Sequence, residues 1–197
     1  MDTVSYSRPD VMHVLKEMVL PVRVTPETRH LFRTYSVDVT PSQLMIGDNG
    51  FIRQRSTGFL NGQELMAFLL LGIGKYYFDQ SLIDDALKMV EKLIEEYRES
   101  RLIPEALFHR GFFLYKKTLD HRHLRETHQV MERRFPESDW TRSARMISLY
   151  HYAPSVWEWS RKKDNINHAR FGVILTLHDD ESHLCRKGPD GLNDPIR

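Results

Sequence analysis

Apolar residues recur at helical spacing through the middle of the chain. Ile83, Ala86, Leu87, Val90, Leu93, Ile94 and Tyr97 share one face, and Asp84, Asp85, Lys88, Glu91, Lys92, Glu95 and Glu96 take the other, which predicts an amphipathic helix. A helix before it starts at Asn61, a capping residue with Glu64 three positions on. It carries the apolar stretch Leu65 to Ile73 on to Gly74, Tyr77 and Phe78. Two more helices are predicted over 103–117 and 121–135, and Ser138 can cap a last one through about Tyr150.

Ahead of Asn61 the period changes. A helix begins near Ser7, with Pro9 and Asp10 in its first turn and Val11, Met12, Val14, Leu15 and Met18 as its apolar face. Leu20 to Val24 reads as a strand, and Thr25-Pro26-Glu27 opens a short helix through His30, Leu31 and Tyr35. Pro41 then stands just before a strand over Ser42 to Ile46, a turn at Gly47-Asp48-Asn49-Gly50 and a second strand over Phe51 to Thr57, a β-hairpin. Beyond the last helix, Arg161 to Asn165 reads as a linker, Phe171 to Leu177 as a buried strand, and His178 to Arg197 as a polar tail.

Tyr97, Glu99, Ser100 and Ala106 are matched in spacing by Phe135, Glu137, Ser138 and Ala144, an offset of 38 residues, close to the tetratricopeptide period of about 34. Gly74, Tyr77 and Ala86 also resemble tetratricopeptide positions, and Gly111 opens the equivalent place in the second unit. His123 stands where that unit would want alanine, and Arg98 replaces the proline that Pro136 supplies in the next turn. An unrelated helical bundle is the alternative.

The segment Val37-Asp38-Val39-Thr40-Pro41, with the hairpin after it and Gly58-Phe59-Leu60 leading into a helix, resembles the second half of the thioredoxin fold. The alternative is an ordinary trans proline starting a strand in some other α/β protein. The resemblance implies a cis peptide before Pro41, with Thr40 and Pro41 forming the backbone edge against which a substrate peptide would pair. It implies that the fold's first strand and its Cys-x-x-Cys are missing, since Met1 to Tyr6 looks like the residues that follow that motif. The expected fold class is α/β plus all-α: an incomplete thioredoxin-like fold over 1–74, then tetratricopeptide-like helical hairpins over 61–152 that share the helix starting at 61. Residues 153–197 are expected to be linker and tail, with one possible strand at 171–177. The missing strand would lie between those at Leu20–Val24 and Ser42–Ile46, a slot that 171–177 could fill; an empty slot would expose two edges and lower solubility.

Composition narrows the function classes. The 197 residues are 41% hydrophobic and 28% charged, and 28 basic against 27 acidic residues give no electrostatic case for a nucleic-acid or anionic-membrane partner. The N-terminus lacks a basic and apolar leader, and the longest apolar run is too short to span a bilayer, so a cytoplasmic protein is expected.

Candidate chemistry is sparse. Cys185 is the single cysteine, so no disulfide forms within the chain and a Cys-rich zinc site is excluded. Ser182-His183-Leu184-Cys185 faintly resembles a thioredoxin motif with serine at the attacking position, and a serine cannot perform thiol exchange. His121, His123 and His128, with His109 nearby, are a candidate metal group, but no two are spaced i,i+4; solvated helix histidines are the alternative. Asp38 and Asp48 sit in turn contexts where aspartate serves backbone geometry. No metal and no cofactor are expected. The resemblance implies thiol-disulfide exchange for a complete protein, with this chain inactive. The alternative is a non-catalytic interaction module that takes a protein partner through its helical repeats.

Overall fold

The computed structural model describes residues 5–25, 28–149 and 172–177. In chain order these form α1 (Pro9–Glu17), β1 (Val19–Val24), α2 (Arg29–Thr34), β2 (Ser42–Ile46), β3 (Ile52–Thr57), α3 (Gly62–Asp79), α4 (Ile83–Glu96), α5 (Ile103–Thr118), α6 (Arg122–Arg134), α7 (Asp139–Leu149) and β4 (Gly172–Leu177). The protein is mixed α/β and mostly helical.

The strands form one sheet in the order β1-β4-β2-β3. β4 runs parallel to β1, Val19 pairing with Gly172 through Val24 with Leu177, and antiparallel to β2, Ser42 pairing with Leu177 through Ile46 with Val173. The last described strand thus lies between β1 and β2, in the slot left open by the first six elements, and the edges expected to depress solubility are paired. Of the tail at 153–197, only 172–177 falls within the described residues.

β2 is buried at every position. Its alternate residues serve two cores, as the period of a strand requires. Leu44 and Ile46 join Val24 and Val37 beneath α2, with Leu31, Phe32 and Tyr35 packed against them. Met45 joins the larger core on the other face, which runs from Val11 and Val14 of α1 through α3 to Ala144 of α7. Between Met45 and Ile46 the register with β3 shifts: Met45 pairs with Gln54 and Ile46 with Ile52. Arg53 is the extra residue of this bulge, and its Nε lies 2.6 Å from Asp79 Oδ2 at the end of α3. Phe51, expected in the strand, precedes it and is exposed, as is Met12 on α1.

α3 is the helix on which both parts pack, which accounts for its unbroken apolar stretch. Every residue from Leu65 to Gly74 is buried, because β2 and β3 lie against it on one side and α4 and α5 on the other. Asn61 caps it by accepting from the Glu64 N–H at 2.9 Å. The Glu64 carboxylate does not reach back to close a capping box; it accepts from the Ser100 hydroxyl at 2.9 Å and the Arg101 N–H at 3.1 Å in the α4–α5 turn. α2 is tied to β3 by Arg55, whose guanidinium donates to the carbonyls of Tyr35 and Ser36. At the N-terminal end, the Ser5 hydroxyl donates to the Leu60 carbonyl at 2.5 Å.

The helices pair in order, α3 with α4 and α5 with α6, and α7 adds to the stack. Glycine sets the crossing in each hairpin. A Cβ at Gly74 would lie 2.9 Å from Val90 Cγ2, and one at Gly111 would lie 2.0 Å from Thr127 Oγ1 and 2.7 Å from its Cβ. Gly111→Ala is therefore expected to lower stability by about 1–3 kcal/mol despite alanine's better helix propensity. Adding Thr127→Gly, which removes every clashing side-chain atom, should recover part of it, with urea denaturation as the measurement; no recovery would place the conflict elsewhere.

Candidate functional site

Two places bring chemistry-bearing residues together. The first is the end of the sheet where Val24, Leu177, Ser42 and Thr57 lie side by side in register. Thr40 and Pro41 enter β2 at this end, through a cis peptide. The Pro41 carbonyl accepts from the Gly58 N–H at 2.7 Å, and the Ser42 hydroxyl donates to the Val39 carbonyl at 2.5 Å, fixing the turn. Thr40 itself has no backbone hydrogen bond among the described residues. Val39 and Phe59, the neighbours of this turn in the chain, are more than half exposed. Cys185 follows β4 by eight positions and lies outside the described residues.

The second place was not singled out in the sequence. Where the sheet meets the helical stack, Gln54 of β3, Lys75 of α3 and Glu105 of α5 form a closed polar triangle. The Lys75 ammonium donates to Gln54 Oε1 at 2.6 Å and to Glu105 Oε1, and Gln54 Nε2 donates to Glu105 Oε2 at 3.3 Å. Lys75 and Glu105 side chains retain only 15% and 11% of their exposure, so solvent screening is weak and each charge depends on the other. The Lys75 ammonium also lies 5.8 Å from the centre of the Trp140 ring of α7. The triangle thus joins β3, α3 and α5, and reaches α7.

His109, one turn along α5 from Glu105, completes the cluster. Its ring packs against Phe108 edge-on at 5.4 Å, Trp140 at 5.5 Å and Phe113 at 5.6 Å. Both ring nitrogens are buried without a hydrogen-bond partner among the described residues, and Nε2 lies 4.0 Å from Glu105 Oε1. Burial, reinforced by the Lys75 charge, pushes the imidazole down to about 3, so it is neutral at physiological pH.

The histidines do not converge. His121, next to α6, stacks near the Tyr115 ring at 4.8 Å, and His128 Nε2 is 3.9 Å from Glu132 Oε2. Among the described residues no three histidine, cysteine or acidic side chains are grouped to hold a metal ion. Asp38 and Asp48 are exposed. Asp48 accepts from Gln80 Nε2 at 3.5 Å and has a carboxylate neighbour that sequence did not place: Asp79, raised above the ordinary carboxylate range first by burial, with Arg53 opposing and Asp48 adding to it. No described helix is long and apolar enough to cross a membrane.

The inner side of the helical stack is partly taken up by the protein's own sheet. Besides the Gln54 contacts, Arg101 in the α4–α5 turn donates to the Ser56 hydroxyl of β3 at 2.8 Å. Comparison with known protein families, curated proteins and solved structures gave no match.

His109 makes stability depend on pH. Its folded value is depressed below the ordinary 6.5, so the unfolded chain binds a proton that the folded one refuses, and stability is lost as pH falls below about 6.5. Between pH 7.5 and 5.0 the loss from this one group should be about 2 kcal/mol. His109→Phe should remove that increment in urea denaturation at the two pH values; an equal acid loss in both proteins would contradict the assignment.

Proposed function

We propose that this protein is a thioredoxin-like unit fused to tetratricopeptide-like hairpins, and that it works as a protein-binding module taking an extended polypeptide at the Thr40–Pro41 end of the sheet. The observation that carries the reading is the strand order. β4 lies parallel to β1 and antiparallel to β2, the place that the resemblance assigns to the strand missing from the first part of the chain. The division of helices supports it too, with α1 and α3 packed in one core and α2 over the other.

An extended ligand needs backbone groups to pair with and apolar surface beside them. Thr40 supplies the first, and the half-exposed Val39 and Phe59 supply the second. Binding along the inner side of the helices is the less favoured mode, because Gln54 and Ser56 of β3 already occupy part of it through Glu105, Lys75 and Arg101.

The strand order also favours a second reading, thiol exchange. β4 leads in sequence to Ser182-His183-Leu184-Cys185, as the corresponding strand leads to the redox motif in the family resembled. A lone thiolate at Cys185 can attack a disulfide and form a mixed disulfide, releasing one partner thiolate, but completing the cycle requires a second thiol from elsewhere.

Titration with S-carboxymethylated insulin B chain, followed by amide chemical shifts, tests the binding reading. Shifts are expected at 39–42 and 58–60, and Val39→Ser with Phe59→Ser should weaken the affinity about tenfold. Shifts confined to α5 to α7 would overturn the assignment in favour of the helical surface. Turnover of insulin disulfides, lost on Cys185→Ser, would instead establish the thiol reading.

A further inference from the structure

We infer that the slot between β1 and β2 is an exchangeable strand-binding site, and that its partner in trans is β4 of a second copy of this chain. The sheet is assembled from three sequence-distant pieces: β1, the β2–β3 hairpin, and β4. β1 and β2 are not neighbours in the sheet; what joins them is β4, with six register pairs to β1 and five to β2. Every described element between β3 and β4 is a helix, and α3 to α7 pack on one another rather than on β4.

The connection is long enough to permit exchange. Twenty-two residues separate Leu149, the end of α7, from Gly172, and a chain of that length can reach up to about 75 Å. β4 itself, Gly172-Val-Ile-Leu-Thr-Leu, is uncharged, free of proline and rich in residues of high β-propensity, so it pairs wherever two open edges are presented.

The closed monomer and a two-fold exchanged dimer contain the same eleven pairings of β4. They differ only in which chain supplies the strand, so mass action decides between them. A tether of 22 residues sets the effective concentration of β4 at its own slot, of about millimolar order. The monomer therefore prevails in dilute solution, and the dimer forms when chains fold together at high concentration. Once formed it persists, because withdrawing β4 breaks two ladders at once. This inference concerns how the sheet is completed and does not depend on the peptide-binding reading.

The test is refolding of the full chain from urea at about 1 mM and at about 10 µM, followed by size-exclusion chromatography with light scattering at the lower concentration. The expected result is a two-chain particle from the concentrated sample only, still present hours after dilution. A Cys185→Ser chain carrying Leu20→Cys and Val173→Cys reports the connectivity, since residues 20 and 173 are register partners and Leu20 is exposed. Oxidation should give a disulfide-linked dimer from the concentrated sample and an internally linked monomer from the dilute one. A protein that is monomeric after both treatments, or a dimer whose disulfides close within each chain, overturns the inference. The unsubstituted chain gives an independent reading: a dimer that reverts to monomer within minutes of dilution overturns it as well.

Discussion

The pairing of β4 with both β1 and β2 is the constraint on which the sheet depends. Without it β1 would be attached to the remainder only through α1 and the packing of α2, and β2 would present an open ladder on the side away from β3. With it, β2 becomes an interior strand buried at all five positions. The same insertion brings the C-terminal ends of β1 and β4 level with the start of β2, gathering three connections at the end of the sheet where Thr40 and Pro41 sit.

A second interaction fixes how the sheet meets the helices. The Gln54–Lys75–Glu105 triangle replaces hydration of two charges by contacts with each other and with one amide. A buried pair of this kind adds little net stability over apolar residues of the same shape, yet removing one partner typically costs about 3–5 kcal/mol. Its consequence is orientation. Apolar surfaces could slide against one another, whereas an ammonium that must satisfy Gln54 and Glu105 together allows few arrangements of β3 against α3 and α5. His109 and Trp140 extend this order to α7, and the unpaired imbalance of His109 shows that packing among rings has won over hydrogen bonding there.

Much of the framework was legible in the chain because it is local. The 3.6-residue period marked α4, Asn61 marked the start of α3, and Pro41 with the turn at Gly47 to Gly50 marked the hairpin. The run at Phe171 to Leu177 read as a strand by composition, and its place in the slot came from the resemblance rather than from any local signal. The polar triangle was not legible, since its members are 21 to 51 positions apart. One signal was available: Lys75 follows an unbroken run of ten residues without a charge, Leu65 to Gly74, and a lone lysine at the end of such a run needs a carboxylate. Glu64 illustrates the reverse, a residue whose spacing suggested a capping box but whose carboxylate is drawn to Ser100 and Arg101.

The central claim is that β4 is an interior strand of this sheet. Amide hydrogen exchange on the full chain, resolved at Val173 to Leu177, tests it most directly. Strand residues bonded on both sides should open only with the sheet, so these amides are expected to be protected to the same degree as those of Leu44 and Met45 in β2. Exchange of Val173 to Leu177 at the rate of an unstructured peptide, with Leu44 and Met45 still protected, would contradict the account and return the sheet to an open slot.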